Sequence, residues 1–141
     1  MATFGRCCIS MMLVVLVLTS CSVLNVSAKV ALYTNESLRA GDQLSNRGFT
    51  LAMQADCNLV LYDNSNAIWS TGTAGKGRDC YATMQGDGNL VIYGAQGVVW
   101  SSNTVRGLDK YELIVQEDRN VVIYKGAARK SIWDTKTYFH A

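Results

Sequence analysis

Three stretches of the chain carry the same alternation of polar and apolar residues. They are Gln54, Asp56, Asn58, Val60, Tyr62; Gln85, Asp87, Asn89, Val91, Tyr93; and Gln116, Asp118, Asn120, Val122, Tyr124. Each set holds a carboxylate, two carboxamides, a phenol and one branched alkyl group. That inventory lacks a strong base, a nucleophile beside a base, and a set of metal ligands; what it offers is hydrogen bonding. A hydroxyl both donates and accepts, so Asp, Asn and Gln can serve vicinal hydroxyls in pairs while Val covers the C–H face of a sugar ring. An epimer with one hydroxyl misplaced leaves a group of the site unpaired, at a cost of about 1–3 kcal/mol.

Catalysis has little to stand on. The single histidine, His140, is next to the C-terminus, and no Ser or Cys has a base beside it in the pattern. Asp87-Gly88-Asn89 faintly suggests a calcium loop, but the next alternate position is Val91 rather than an oxygen ligand. No metal or cofactor is expected. A lone Asp-x-Asn is also a common Asx turn. Turn chemistry, however, requires neither Gln before the loop nor Val and Tyr after it, and does not explain the threefold repetition.

These residues need elements that place them side by side. The motifs recur at a constant step: Gln54 to Gln85 is the same interval as Gln85 to Gln116, and Trp69 to Trp100 keeps it. Trp133 falls two positions beyond the next such step because the third copy has two extra residues in its turn, within Ala127 to Lys130. Short runs rich in β-branched residues, bounded by turn formers, read as strand, turn, strand, turn, strand in each copy: Phe49 to Gln54, Leu59 to Tyr62 and Ala67 to Ser70 in the first. Asn, Val and Tyr stand two apart and share a strand face. Leu59 and Leu61, Leu90 and Ile92, and Val121 and Ile123 take the opposite, core face. A three-residue loop would pair Gln with Asn and bring Gln onto the polar face. Gly88 then stands where such a loop favours a left-handed residue, a freedom that Cys57 and Arg119 lack.

Nine strands come from the copies, and the linkers Thr71 to Asp79 and Asn103 to Asp109 and the N-terminal Val30 to Leu44 can each add one. The expectation is an all-β fold of twelve strands in three sheets with threefold pseudosymmetry. A propeller blade needs a longer repeat, and a β-trefoil is the nearest rival. Trp69, Trp100 and Trp133 are expected to meet near the axis as core rather than to serve as stacking platforms.

At 141 residues the chain allows one domain and a leader, and a net charge of +2 from 13 Lys+Arg against 11 Asp+Glu is too balanced to favour nucleic acid. Residues 1–28 read as a signal peptide cleaved after Ala28. The apolar core from Ile9 to Leu18 is far short of the roughly 20 residues needed to span a bilayer, so no membrane insertion is expected. The destination is then the secretory pathway, extracellular or vacuolar, and the domain is residues 29–141. Cys7, Cys8 and Cys21 leave with the leader, and a disulfide between Cys57 and Cys80 is the default in a secreted chain, two free buried thiols being the alternative. Asn35-Glu36-Ser37 fits an N-glycosylation sequon.

The phrases DCNLVLYDN, DGNLVIY and DRNVVIY, with the Cys57 to Cys80 interval, closely resemble the monocot mannose-binding lectins of the snowdrop bulb type. The likeness covers nearly all of residues 29–141, a bulb-type lectin domain. It implies a β-prism II of three four-stranded antiparallel sheets with pseudo-threefold symmetry, a buried tryptophan trio, a Cys57–Cys80 disulfide and three mannose sites without metal or cofactor. In the family the motif Asp and Asn bind the axial 2-hydroxyl, Gln the 3-hydroxyl and Tyr the 4-hydroxyl, while Val makes the apolar contact. The function so implied is a secreted mannose-specific lectin that binds mannose-rich glycans multivalently in defence. Relatives of the sugar-inactive or taste-modifying kind share the scaffold but have degraded motifs, which this chain does not. Family dimers exchange C-terminal strands; here only eight residues follow Trp133, which leaves monomer, homodimer and higher oligomer open. The insertion beside the third motif is expected to alter access to that site.

Overall fold

The computed structural model describes residues 28–140, so the expected signal peptide lies outside the described residues except for its last position. Twelve strands succeed one another in chain order: β1 (Ala31–Tyr33), β2 (Ser37–Arg39), β3 (Gln43–Asn46), β4 (Phe49–Met53), β5 (Leu59–Asp63), β6 (Asn66–Ser70), β7 (Tyr81–Met84), β8 (Leu90–Gly94), β9 (Gly97–Ser101), β10 (Tyr111–Val115), β11 (Val121–Lys125) and β12 (Lys130–Asp134). They form three four-stranded sheets in the orders β3-β4-β5-β6, β2-β7-β8-β9 and β1-β10-β11-β12. All pairings are antiparallel.

The count of twelve agrees with the sequence, but the source of three strands does not. The linkers Thr71 to Asp79 and Asn103 to Asp109 supply none; β1, β2 and β3 all come from the N-terminal segment, which gives one strand to each sheet. The reason is a second, shorter spacing. Leu32, Leu38 and Leu44 stand six residues apart, all at 3% exposure or less, and pair with Leu113, Ala82 and Leu51 of three different sheets. Between them Asn35 and Gly41 take φ of 66° and 93°, which turns the chain from one sheet to the next. Each turn is closed by a carboxylate: Glu36 Oε2 accepts from the Tyr33 N–H and Asp42 Oδ2 from the Arg39 N–H, both at 2.8 Å. The Lys29 ammonium, then the Tyr33 N–H, hold the Glu36 carboxyl below its ordinary range. The two linkers instead run over the motif loops and bond to them.

The inner faces meet in one core. Leu59, Leu61, Leu90, Ile92, Val121 and Ile123 are at most 1% exposed, as their alternation with the polar positions requires. Truncating any one of the five Leu or Ile residues to Ala is expected to cost about 2–5 kcal/mol, read by denaturant unfolding. Each of β5–β6, β8–β9 and β11–β12 carries a one-residue bulge, opposite Leu61/Tyr62, Ile92/Tyr93 and Ile123/Tyr124. It puts Trp69, Trp100 and Trp133 in register with Leu61, Ile92 and Ile123, on the inner side. The indoles meet edge to face, with centroids 6.3, 5.7 and 6.3 Å apart. They are partly buried and packed against the core, and such aromatic pairs add about 0.5–1.5 kcal/mol each beyond area burial.

Candidate functional site

Each motif begins in a three-residue loop. Cys57 N donates to Gln54 O at 3.1 Å and Gln54 N to Asn58 O at 3.0 Å, and the second and third copies repeat this through Gly88 and Arg119. Such a loop is a turn followed by one left-handed residue. Cys57, Gly88 and Arg119 accordingly have φ of 73°, 92° and 75°. The geometry thus asks of Cys57 and Arg119 what their side chains disfavour, at about 1–2 kcal/mol each. Cys57 is tied by its bond to Cys80, with Cα atoms 5.2 Å apart. Arg119 donates from Nε to Thr137 O at 2.9 Å, pairs with Asp63 at 3.4 Å and lies 4.1 Å over the Phe139 ring. These contacts fold the C-terminal tail back onto its own chain.

Gly88 has a further reason to be glycine. A Cβ there would fall 2.8 Å from the Tyr111 ring and 2.9 Å from Thr104 O. Tyr111 is 2% exposed, its hydroxyl bonded to Gly107 O at 2.6 Å; burial first, then the Asp109 and Asp87 carboxylates, push its phenol above the usual range. Gly88→Ala is therefore expected to lower stability by about 2 kcal/mol, measurable by thermal or denaturant unfolding.

The five side chains of each motif come together on the outer face of their sheet. Asp56 Oδ1 accepts from the Asn58 N–H at 2.9 Å, and Asp87 and Asp118 do the same at 3.0 Å. The Gln side-chain amide donates to the Tyr hydroxyl in all three: Gln54 to Tyr62, Gln85 to Tyr93, and Gln116 to Tyr124 at 2.6 Å. Val60, Val91 and Val122 are each 3% exposed. They form a floor, because Ala52 and Ser70 flank Val60 across the strands, Thr83 and Ser101 flank Val91, and Ile114 and Asp134 flank Val122.

A second repeated group orients the asparagines, and the five-residue motif gives no hint of it. Asn58 Oδ1 accepts from Thr71 Oγ1 and from the Thr73 N–H, both at 3.1 Å. Asn89 is held by Ser102 and Thr104, and Asn120 by Thr135 and Thr137, in the same way. Thr73, Thr104 and Thr137 also donate from Oγ1 to the carbonyls of Cys57, Gly88 and Arg119. These contacts, with the bond from Gly75 N to Asp56 O at 2.8 Å, explain why the linkers are brackets and not strands. Because a backbone N–H can only donate, the inward atom of each Asn is its oxygen, and Nδ2 faces away from the bracket. The signal was present in the chain: Ser or Thr follows each Trp at two and four positions, as 71 and 73, 102 and 104, and 135 and 137.

What remains for a ligand at the first two motifs is the second oxygen of Asp56 or Asp87 and Nδ2 of Asn58 or Asn89, none of which has a partner among the described residues. The Tyr hydroxyl proton and the Gln carbonyl oxygen lie beside them. The third copy differs. Asn120 Nδ2 donates to Asp134 Oδ2 at 2.8 Å, and the longer turn brings Arg129 4.9 Å over the Tyr124 ring, where it pairs with Glu112 at 3.1 Å. The residues of that turn thus place a cation over the tyrosine of the third motif.

No family model matches the chain. Among curated proteins, the mannose-specific lectins of Galanthus nivalis and Narcissus pseudonarcissus are each 48% identical to it over 50 residues, 36% of this chain and 32% and 46% of theirs. The chain thus matches less than half of the length of these curated relatives. Solved structures match further. A monomeric monocot mannose-binding lectin from Gastrodia elata is 47% identical with a TM-score of 0.76, covering 79% of this chain and 100% of that one. The snowdrop agglutinin complexed with methyl-α-D-mannoside is 45% identical with a TM-score of 0.68 and the same coverage. The three-sheet architecture is the β-prism II of these neighbours. With the whole of each solved chain matched and nearly half of the aligned residues identical, the chain belongs to the monocot mannose-binding lectins.

Proposed function

We infer that this protein is a mannose-specific lectin with three sites, one on the outer face of each sheet, and that it acts by binding and not by catalysis. The observation that carries the reading is the matched pair left open at the first two motifs. Asp offers an acceptor and Asn a donor, both fixed by backbone hydrogen bonds, beside a buried Val floor and a Tyr hydroxyl. A hydroxyl fits such a pair, and an array prepared before binding loses little entropy on ligand entry. The names of the relatives, and the mannoside in the snowdrop complex, support mannose as the sugar.

Sites this shallow act together. A millimolar site contributes about 4 kcal/mol, and several engaged at once raise avidity by about 10² to 10⁴. Export through the secretory pathway, to the cell exterior or the vacuole, and defence by clustering mannose-rich glycans complete the proposal; the mature protein then begins at Lys29, as N-terminal sequencing would read. The central test is retention on immobilised mannose, elution with free mannose and light scattering of the eluate for subunit number. Retention that glucose fails to displace is expected; passage without retention overturns the reading.

A further inference from the structure

Asn35 combines a sequence signal with a position whose side chain the fold leaves unused. Asn35-Glu36-Ser37 is an Asn-x-Ser sequon, and within residues 29–141 no other Asn is followed at two positions by Ser or Thr. Asn25-Val26-Ser27, also of this form, leaves with the expected leader. Asn35 stands exposed in the turn between β1 and β2. Its backbone N–H donates to Met84 O at 2.7 Å, but no hydrogen bond engages its side-chain amide among the described residues. Asn46, by contrast, donates from Nδ2 to Val115 O at 3.0 Å.

Turn geometry accounts for only part of this. The φ of 66° at Asn35 is a left-handed conformation that Asn tolerates. The next turn repeats the arrangement with Gly41, whose N–H donates to Met53 O at 2.8 Å. There the residue two positions on is Gln43, so the turn itself does not require a hydroxyl at that place. Ser37 is exposed too, with its Oγ sharing a hydrogen bond with Thr83 Oγ1 across the sheet. Space for a bulky substituent is also present. A Cβ built at Gly86 would meet Asn35 Oδ1 at 3.5 Å and Nδ2 at 4.0 Å, and the other two motifs carry Ala55 and Glu117 at that place. The residue with no side chain thus faces the amide. Because β1 and β2 pair only with β10 and β7, the turn stays accessible to an enzyme until those distant strands are in place.

Resting on the reading of the chain as exported, we propose that Asn35 is an N-glycosylation site, which roots an oligosaccharide beside the loop of the second motif. The donor is a lipid-linked oligosaccharide diphosphate of the secretory pathway. Asn35 Nδ2 attacks the reducing-end sugar carbon; an N–C bond forms, the C–O bond to the diphosphate breaks, and one amide proton is lost as the lipid diphosphate leaves. The amide keeps its oxygen and one hydrogen, and no hydrogen bond of the fold is given up. A substituent of this bulk belongs on a surface turn.

The test expresses the full chain with its leader in cultured mammalian cells and recovers it from medium and lysate. Intact mass, N-terminal sequence and the tryptic peptide Val30–Arg39 are read before and after peptide N-glycosidase, which releases the glycan and turns the amide into a carboxyl. A loss of mass on treatment, with the converted side chain at Asn35, is expected in most molecules. Asn35→Asp, which keeps the left-handed tolerance, and Ser37→Ala should each remove the glycan, and Ser37→Thr should retain it. A chain that begins at Lys29 with that peptide unmodified in most molecules overturns the proposal alone. So does a loss of mass that survives both Asn35→Asp and Ser37→Ala. A chain that still carries residues 1–28 and stays in the lysate overturns the export reading, and this proposal with it.

Discussion

Asn58→Asp combined with Asn89→Asp is expected to abolish retention on immobilised mannose while leaving the unfolding transition nearly in place. The substitution is chosen for what it keeps. The inward oxygen that accepts from Thr71 and Thr73, or from Ser102 and Thr104, survives as a carboxylate oxygen, so the bracket stays intact. What disappears is the outward N–H, and a second acceptor now faces the ligand hydroxyl beside Asp56 or Asp87. Each change should weaken its own site by about 1–3 kcal/mol. Because retention depends on simultaneous engagement, loss of two sites together removes a gain of about 10² to 10⁴. Retention unchanged from the unaltered protein in the double variant would show that the first two motifs do not hold the ligand.

Cys57→Ala with Cys80→Ala is expected to produce a large loss of stability from a single feature of the core. The bond spans 23 residues, and releasing a loop of that size costs about 3 kcal/mol in the chain-entropy account. For a domain of this length that lowers the melting temperature by on the order of 10 °C. The bond also holds a left-handed residue between Asp56 and Asn58. Its removal should therefore weaken mannose binding at the first site more than at the second, where Gly88 adopts φ of 92° without help. Unfolding scans with and without reductant, followed by site-resolved titration, separate the two effects. A melting temperature indifferent to reductant would contradict the stability part.

The legible parts of this chain are those that repeat. The evenly spaced recurrence of Gln, Asp, Asn, Val and Tyr, with apolar residues between them, located nine strands, the inner and outer faces and the tryptophan trio. Two things escaped. The strands that close the sheets come from Leu32, Leu38 and Leu44, whose spacing is unrelated to the main repeat and whose partners are distant, so local pattern offered no pairing. The Ser/Thr brackets escaped because their residues are short, polar and common in loops; only their constant distance from Trp69, Trp100 and Trp133 marks them. Cys57 and Arg119 in a left-handed position show that tertiary ties, here a disulfide and an aromatic-stacked guanidinium, override backbone preference.

The lacing of the sheets by β1, β2 and β3 also sets an order of events during synthesis. The third strand of the lace pairs with its immediate neighbour β4, the second with β7, and the first with β10, so the segment that leaves the ribosome earliest finds its partner last. The sheet containing Asn58 can close when little more than the first copy has emerged, whereas the sheet containing Asn120 must wait for almost the entire polypeptide. Contacts of such long sequence separation slow folding and leave an unpaired edge open in the interval. A nascent chain stalled before β10 is therefore expected to leave β1 unpaired and the shared core open on one side, which exposes an edge able to pair with another chain until the C-terminal copy emerges.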